Sequence, residues 1–216
     1  MSAQPLPRVS AVDALVSVLR EQILDGELPG GGRLVERELV ERYDVARHTL
    51  RAALRQLQAD GLVRIEPNRG ARVAMLEPQE LADLFDLRLA LEREAAHLAL
   101  ERHDGALPEP VHAAARRLDA IAARPRATWA GVAAAHNAVH TALVGAAEAP
   151  RLQRAYAALD GELRLFVTQL RPAWRREALG PDHLRLVAAI ERDGPDVLRE
   201  HMAEAVRALT VRPAAR

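Results

Sequence analysis

The chain has no cysteine. That excludes disulfide scaffolds, thiolate zinc fingers, iron–sulfur clusters and cysteine nucleophiles. Lysine is also missing, so every basic side chain is arginine. Aromatic residues make up only 3% of the sequence. Strand-favouring runs are rare, while Ala, Leu, Arg and Glu dominate, and these are helix formers. No apolar run approaches the roughly 18 residues that a membrane span needs. The stretch from Met1 to Ser10 lacks the apolar segment of a secretion signal. The expectation is a cytoplasmic protein with no membrane segment. Excess charge is missing too: 30 basic residues balance 30 acidic ones. A uniformly basic, histone-like binder and a charged disordered tail are both excluded.

What is present fills 216 residues, enough for one sizeable core or a small domain joined to a larger one. The charge is uneven. Arg33 to Ala74 holds nine arginines against six acids, a local net of +3, while seven of the eight histidines follow Ala74. This contrast predicts two domains, 1–76 and 77–216.

The first of them reads as three helices and a hairpin. Ser10 and Asp13 form a capping-box pattern before the apolar series Val12, Leu15, Val16, Leu19 and Ile23, and Gly26 ends the helix. Leu28 to Gly32 reads as a loop. A short helix spans Glu36–Tyr43 with Leu39 and Val40 inward. Asp44 is placed to cap a third helix, from Val45 to about Ala59, with Leu50, Ala53, Leu54 and Leu57 on its buried face. Its opposite face carries Arg47, His48, Arg51 and Arg55. Val63 and Ile65, then Ala71 and Val73, alternate with polar residues around the turn Pro67-Asn68-Arg69-Gly70, the pattern of a β-hairpin. That order is a winged helix-turn-helix.

Guanine presents O6 and N7 to a bidentate arginine in the major groove, so a recognition helix exposes arginine near its start. Arg47 and Arg51 are one turn apart there, and Arg37 is placed to reach the phosphate backbone. Gly70 at the wing tip permits close backbone approach beside Arg69 and Arg72. Taken singly, each arginine reads better as an ordinary solvated residue in an arginine-rich chain; the arrangement within about forty residues is what points to duplex DNA.

The second domain reads as six helices. They run Gln79–Arg102, Val111–Ala123, Trp129–Ala147, Pro150 toward Arg171 with a break at Pro172, Pro181 to about Arg192, and a last one ending near Val211. His136 and His140 are four apart and share a helix face. His183 and His201 lie on the last two helices, and such a set can converge on a metal inside a bundle. Neutral imidazole suits zinc, nickel, copper or iron(II). A scatter of surface histidines is the alternative, and His97, His103 and His112 are read that way. Arg88 falls on the buried stripe between Leu84 and Leu91, where a guanidinium needs an anionic partner. Glu92, one turn on, can supply it.

The run from Leu34 to Val63, followed by Asn68 to Val73, resembles the GntR family of bacterial transcription regulators. The resemblance lies in the spacing of Leu34, Glu36, Leu39, Val45, Arg47, Arg51, Leu54, Leu57 and Gly61-Leu62-Val63, and in Arg69-Gly70 of the wing. It implies that Arg37, Arg47, Arg51 and Gly70 take DNA-contacting places on a palindromic operator bound by a homodimer; His48 on the exposed face of the third helix and Arg69 beside the wing tip are further candidates. The family's Gly-Val-Ser-Arg is here Asp44-Val45-Ala46-Arg47, which removes a hydroxyl, and His48 stands where Thr is common.

The remainder resembles the FCD effector-binding domain of the FadR-type subfamily. The resemblance is carried by Asp86 to Glu92, by His136-Asn137-Ala138-Val139-His140 with Gly145 to Leu152, and by Asp182-His183, Ala189 to Asp193 and His201. It implies a divalent metal on an Asp and three histidines. His140, His183 and His201 take the histidine places, and His136 stands where Asp is usual. A four-His set favours borderline metals, zinc or nickel first, over magnesium or manganese; otherwise His136 is a spectator and water completes the shell. The resemblance also implies a small carboxylate effector received by Arg88, with Asn137, and then Thr141, Arg164 and Gln169, lining the cavity. The expected function is a ligand-responsive repressor. A helical metalloenzyme using the four-His site is the alternative, and a metal-stabilised adaptor a third; there is no His-Glu-x-x-His and no evident general base.

Overall fold

A computed structural model describes residues 10–67, 69–169 and 175–210, with side chains as far as 207. Asn68 of the expected turn, the expected break at Pro172 and the expected end at Val211 lie outside the described residues. The chain divides into two compact units, Met1–Ala74 and Met75–Arg216.

The first unit contains α1 (Ala11–Leu24), β1 (Arg33–Leu34), α2 (Glu36–Tyr43), α3 (Arg47–Ala59), β2 (Val63–Glu66) and β3 (Gly70–Val73). Ser10 caps α1, its hydroxyl accepting the Asp13 N–H at 3.1 Å. Helix α1 packs on α3, and Leu15, Leu19 and Ile23 of α1 and Leu50, Leu54 and Leu57 of α3 are all buried. Burying such side chains contributes about 1.5–3 kcal/mol each. Val12 and Val40 are only half-buried.

Asp44 departs from its expected role. It closes α2 rather than opening α3, with φ 47° and its N–H on the Val40 carbonyl. Asp tolerates this left-handed conformation better than most residues, so it can turn the chain within three residues. Helix α3 then starts two residues later than expected, at Arg47, with Ala46 before it and no side-chain cap.

The sheet has order β1-β3-β2, all antiparallel. Val63 pairs with Val73 and Ile65 with Ala71, which turns Arg64 and Arg72 outward. Strand β1 falls in a stretch with no strand pattern, because two residues are too few to display alternation. It forms by adding an edge to β3, Arg33 opposite Arg72.

The second unit contains α4 (Pro78–Arg102), α5 (Glu109–Ala122), α6 (Trp129–Ala146), α7 (Pro150–Ala157), α8 (Asp160–Gln169), α9 (Arg176–Asp193) and α10 (Val197–Thr210). Glu77 and Glu80 form a capping box around Pro78 at the start of α4. Helix α5 packs on α6 and α9, α6 also on α4 and α8, and α10 on α4 and α9. The core joins Phe85 to Phe166, with ring centroids 4.6 Å apart, and continues through Leu118, Val132, Leu163, Ile190 and Leu198. Small residues let the helices approach. A Cβ added to Gly180 would lie 2.4 Å from the Asp119 Cα, so α9 touches the α5 backbone there.

Two expected helices differ in extent. The expected fourth helix is two, α7 and α8, divided around Leu159. No Pro or Gly precedes the break; it accompanies the burial of Tyr156 and Leu159, a tertiary effect. Pro181 lies inside α9 rather than at its start. Proline is favoured in a first turn, but here the helix forms five residues earlier and forgoes one backbone hydrogen bond. Among the described residues no helix is long and apolar enough to cross a membrane.

Candidate functional site

In the first unit, Arg37, Arg47, His48, Arg51, Arg69 and Gly70 are all exposed. Arg47 is the first residue of α3, and Thr49 and Leu50 behind it are buried. Arg51 is exposed but paired: its Nε donates to both Glu36 oxygens at 3.1 Å, and a terminal nitrogen lies 3.0 Å from Oε2. The hydrogen bond and charge of Glu36 raise the Arg51 pKa further above its ordinary value. Arg69 sits 3.6 Å from the Glu66 carboxylate. Gly70 has φ +84° with open space around its Cα, so the glycine is required by conformation, not by crowding. Arg72 donates to the Gly31 carbonyl at 3.1 Å and ties the wing to the preceding loop.

In the second unit, α6 places His136 and His140 one turn apart, facing His183 of α9 and His201 of α10. His136, His140 and His183 are 3%, 1% and 0% exposed. One ligand atom from each of these three lies within 4.8 Å of the others. His201 stands beside them, its ring centroid 5.0 Å from His183 and 5.7 Å from His140. It is half-buried, and with His183 it lines a groove of about 400 Å³ between α9 and α10.

The hydrogen bonds fix the imidazole tautomers. His183 Nδ1 lies 2.7 Å from the Leu179 carbonyl, which can only accept, so Nδ1 carries the proton and Nε2 a lone pair. His140 Nδ1 lies 2.8 Å from Glu92 Oε2, so its Nε2 also carries a lone pair. These two Nε2 atoms are 3.0 Å apart. Two lone pairs at that separation repel unless a cation lies against them. His136 Nδ1 is buried without a partner. Burial, then repulsion among the rings and from Arg88, holds His136 well below its ordinary pKa. His140 and His201 are lowered for the same reasons, and burial takes His183 to about 4. The rings are thus neutral, as metal ligands must be, and the donor set fits a divalent cation.

Arg88 and Glu92 lie against this cluster, 2% and 0% exposed. Arg88 Nε donates to Glu92 Oε1 at 2.7 Å, the pairing that the spacing made available. Tyr156 donates to the same oxygen at 2.7 Å. The Arg88 guanidinium lies over the Phe85 ring, 5.2 Å from its centroid, and one terminal nitrogen is buried with no partner. Burial works against the Arg88 charge, and Glu92 with Tyr156 more than offsets it. Sequence reasoning missed the Tyr156 and His140 contacts of Glu92. The buried Arg88–Glu92 spacing was the one local signal.

Asn137 is buried and donates its amide to Asp160, whose carboxylate is also 2.9 Å from Arg164 Nε. Gln169 has a buried carbonyl oxygen without a partner. Thr141 is exposed, because it follows His140 round the helix to the outer face. Of the three expected surface histidines, only His97 is exposed. His103 and His112 are half-buried, with Nε2 at 3.1 Å from the Ala146 carbonyl and from Glu191 respectively.

Residues 11–73 match the profile of bacterial regulatory proteins of the gntR family, and residues 83–208 match the FCD domain. The HTH-type transcriptional regulator BphR of Paraburkholderia xenovorans (strain LB400), itself uncharacterised, is 29% identical over 94% of this chain and 88% of its own length. A probable D-xylose utilization operon transcriptional repressor of Paenarthrobacter nicotinovorans is 26% identical over 93% of this chain and 87% of its own. A solved structure described as a GntR transcriptional regulator from Rhodococcus sp. RHA1 superposes with a TM-score of 0.74 at 24% identity, covering 94% of this chain and 99% of that one.

Proposed function

The chain belongs to the GntR family of DNA-binding transcription regulators, with an FCD domain after the winged helix, and is not an enzyme; from that premise we propose that it is a metal-dependent repressor released by a small carboxylate. It acts as a cytoplasmic homodimer on a palindromic operator, one α3 in each half-site. Arg47 and His48 at the head of α3, with Arg51 a turn later, meet the base edges. Arg37, Arg69 and the Gly70 backbone meet phosphates and the minor groove. The repressor sense is supported by the name of the Paenarthrobacter relative.

His136, His140, His183 and His201 hold a divalent transition metal, zinc or nickel. When bound, such an ion supplies a second positive charge beside Arg88 for an anionic guest. Arg88 offers the guest its unpartnered nitrogen, and Asn137, buried and next to His136 in α6, is assigned to the same guest. The observation that carries this reading is the pair of lone-pair-bearing Nε2 atoms 3.0 Å apart, with Glu92 joining His140 to Arg88. Effector binding shifts the regulator only if it favours one of the DNA-competent and incompetent states.

The test is selection from a genomic DNA library, repeated in the presence of a panel of organic acids. Enrichment of a palindrome that one acid releases supports the proposal, provided that chelator-stripped protein no longer releases it. Enrichment of no palindrome contradicts the DNA reading. A normal response from stripped protein contradicts the role of the metal.

A further inference from the structure

Glu92 has three partners at once and no exposure to solvent. Its Oε1 accepts from Arg88 Nε and from the Tyr156 hydroxyl, each at 2.7 Å, and its Oε2 faces His140 Nδ1 at 2.8 Å. We infer that Glu92 is a positioning residue that couples the anion site to the histidine centre, holding Arg88 with one oxygen and orienting His140 with the other. The inference rests on the reading that the histidines hold a divalent cation.

The first half of the argument is a matter of donors and acceptors. A carboxylate can only accept, so it fixes the His140 proton on Nδ1 and leaves Nε2 bare toward His183. A carboxylate behind an imidazole also makes that ring a stronger metal ligand. Glutamine has the same shape and the opposite effect. If its oxygen keeps Arg88 and Tyr156, its amide N–H faces His140 Nδ1, which must then accept. The proton moves to Nε2, onto the ligand atom. If the amide is turned over, two N–H groups meet the two donors Arg88 and Tyr156. Either arrangement breaks one side of the network.

The second half concerns how one negative charge is shared. The more strongly Arg88 and Tyr156 hold Oε1, the less of the charge is available to His140. An anion docked on the spare Arg88 nitrogen competes with Glu92 for the guanidinium and returns charge toward His140. Anion and cation therefore strengthen each other's binding, and by linkage the effect is reciprocal. The Arg88 charge also repels positive charge on the rings directly; Glu92 adds a second route, since it is hydrogen-bonded to both Arg88 and His140.

The experiment uses the full chain, stripped with a chelator and titrated with zinc alone against a chromophoric competitor. Glu92→Gln is expected to weaken zinc binding about 10–100-fold, the usual size of such outer-shell effects. Arg88→Met and the milder Tyr156→Phe are expected to strengthen it, because each releases Oε1. Arg88→Met is expected to strengthen zinc binding more in the wild-type background than in Glu92→Gln, where only the direct repulsion by the guanidinium is relieved. Imidazole nitrogen NMR of the stripped proteins reads the His140 tautomer without any metal: Nδ1–H in the wild type, and in Glu92→Gln Nε2–H where the amide N–H faces His140. Zinc affinity unchanged in Glu92→Gln, or shifted the same way in Arg88→Met as in Glu92→Gln, overturns the coupling alone. Wild-type protein that takes up no zinc overturns the metal reading and the coupling with it.

Discussion

A side chain such as Arg47 does one job at the surface, and its replacement separates recognition from folding. Arg47→Ala and Arg51→Ala are expected to cost about 1–3 kcal/mol of base discrimination each, measured by fluorescence anisotropy on operator and scrambled DNA. Circular dichroism is expected to stay unchanged, because both residues are exposed. Normal operator affinity in both variants contradicts the assignment of α3. Leu57→Ala makes the opposite separation. Leu57 is fully buried, so truncation is expected to destabilise by about 2–5 kcal/mol, visible as a lower urea midpoint. At this scale the sequence is a good guide where the signal is local. His136 and His140 share a helix face by spacing alone, and Arg47 heads a helix whose buried face is evident. The Glu92–His140 contact joins residues 48 positions apart, and no local pattern announces it. The Arg51–Glu36 pair is hidden for the same reason, since it depends on how α2 and α3 cross.

Elements carry these side chains to one another, and α9 shows how little slack they have. Gly180 lies against the α5 backbone and only three residues before His183. Gly180→Ala is expected to force α9 off α5, at a cost of about 1–3 kcal/mol for overpacking. The melting temperature should fall and zinc affinity should fall with it; a variant with both unchanged contradicts the close packing. The apolar periods of α1, α3, α4, α5 and α6 make those helices readable from the sequence. The start of α9 and the α7–α8 break are less so. Pro181 looks like a helix opener but is accommodated within the helix, and the α7–α8 break coincides with the inward turn of Tyr156, with no proline at the break.

For the whole molecule, the proposed function assigns base readout to the first compact unit and the sensing of a cation and an anion to the second. A ligand present at a hundred times its Kd stabilises the folded state by about 2.7 kcal/mol. Chelation is therefore expected to lower the melting temperature and to abolish release by the effector, while the ranking of operator variants stays the same. A changed ranking contradicts the separation of base readout from sensing. The contrast between the net positive stretch Arg33 to Ala74 and a second unit with seven of the eight histidines is visible in the composition, whereas the convergence of three helices on one point is visible only in three dimensions. The most direct test of that convergence is the metal content of protein purified without added metal, wild type beside His140→Ala/His183→Ala. The expected result is a single equivalent of zinc or nickel per chain in the wild type and almost none in the variant, with both proteins folded; equal content in the two, or none in either, contradicts the account.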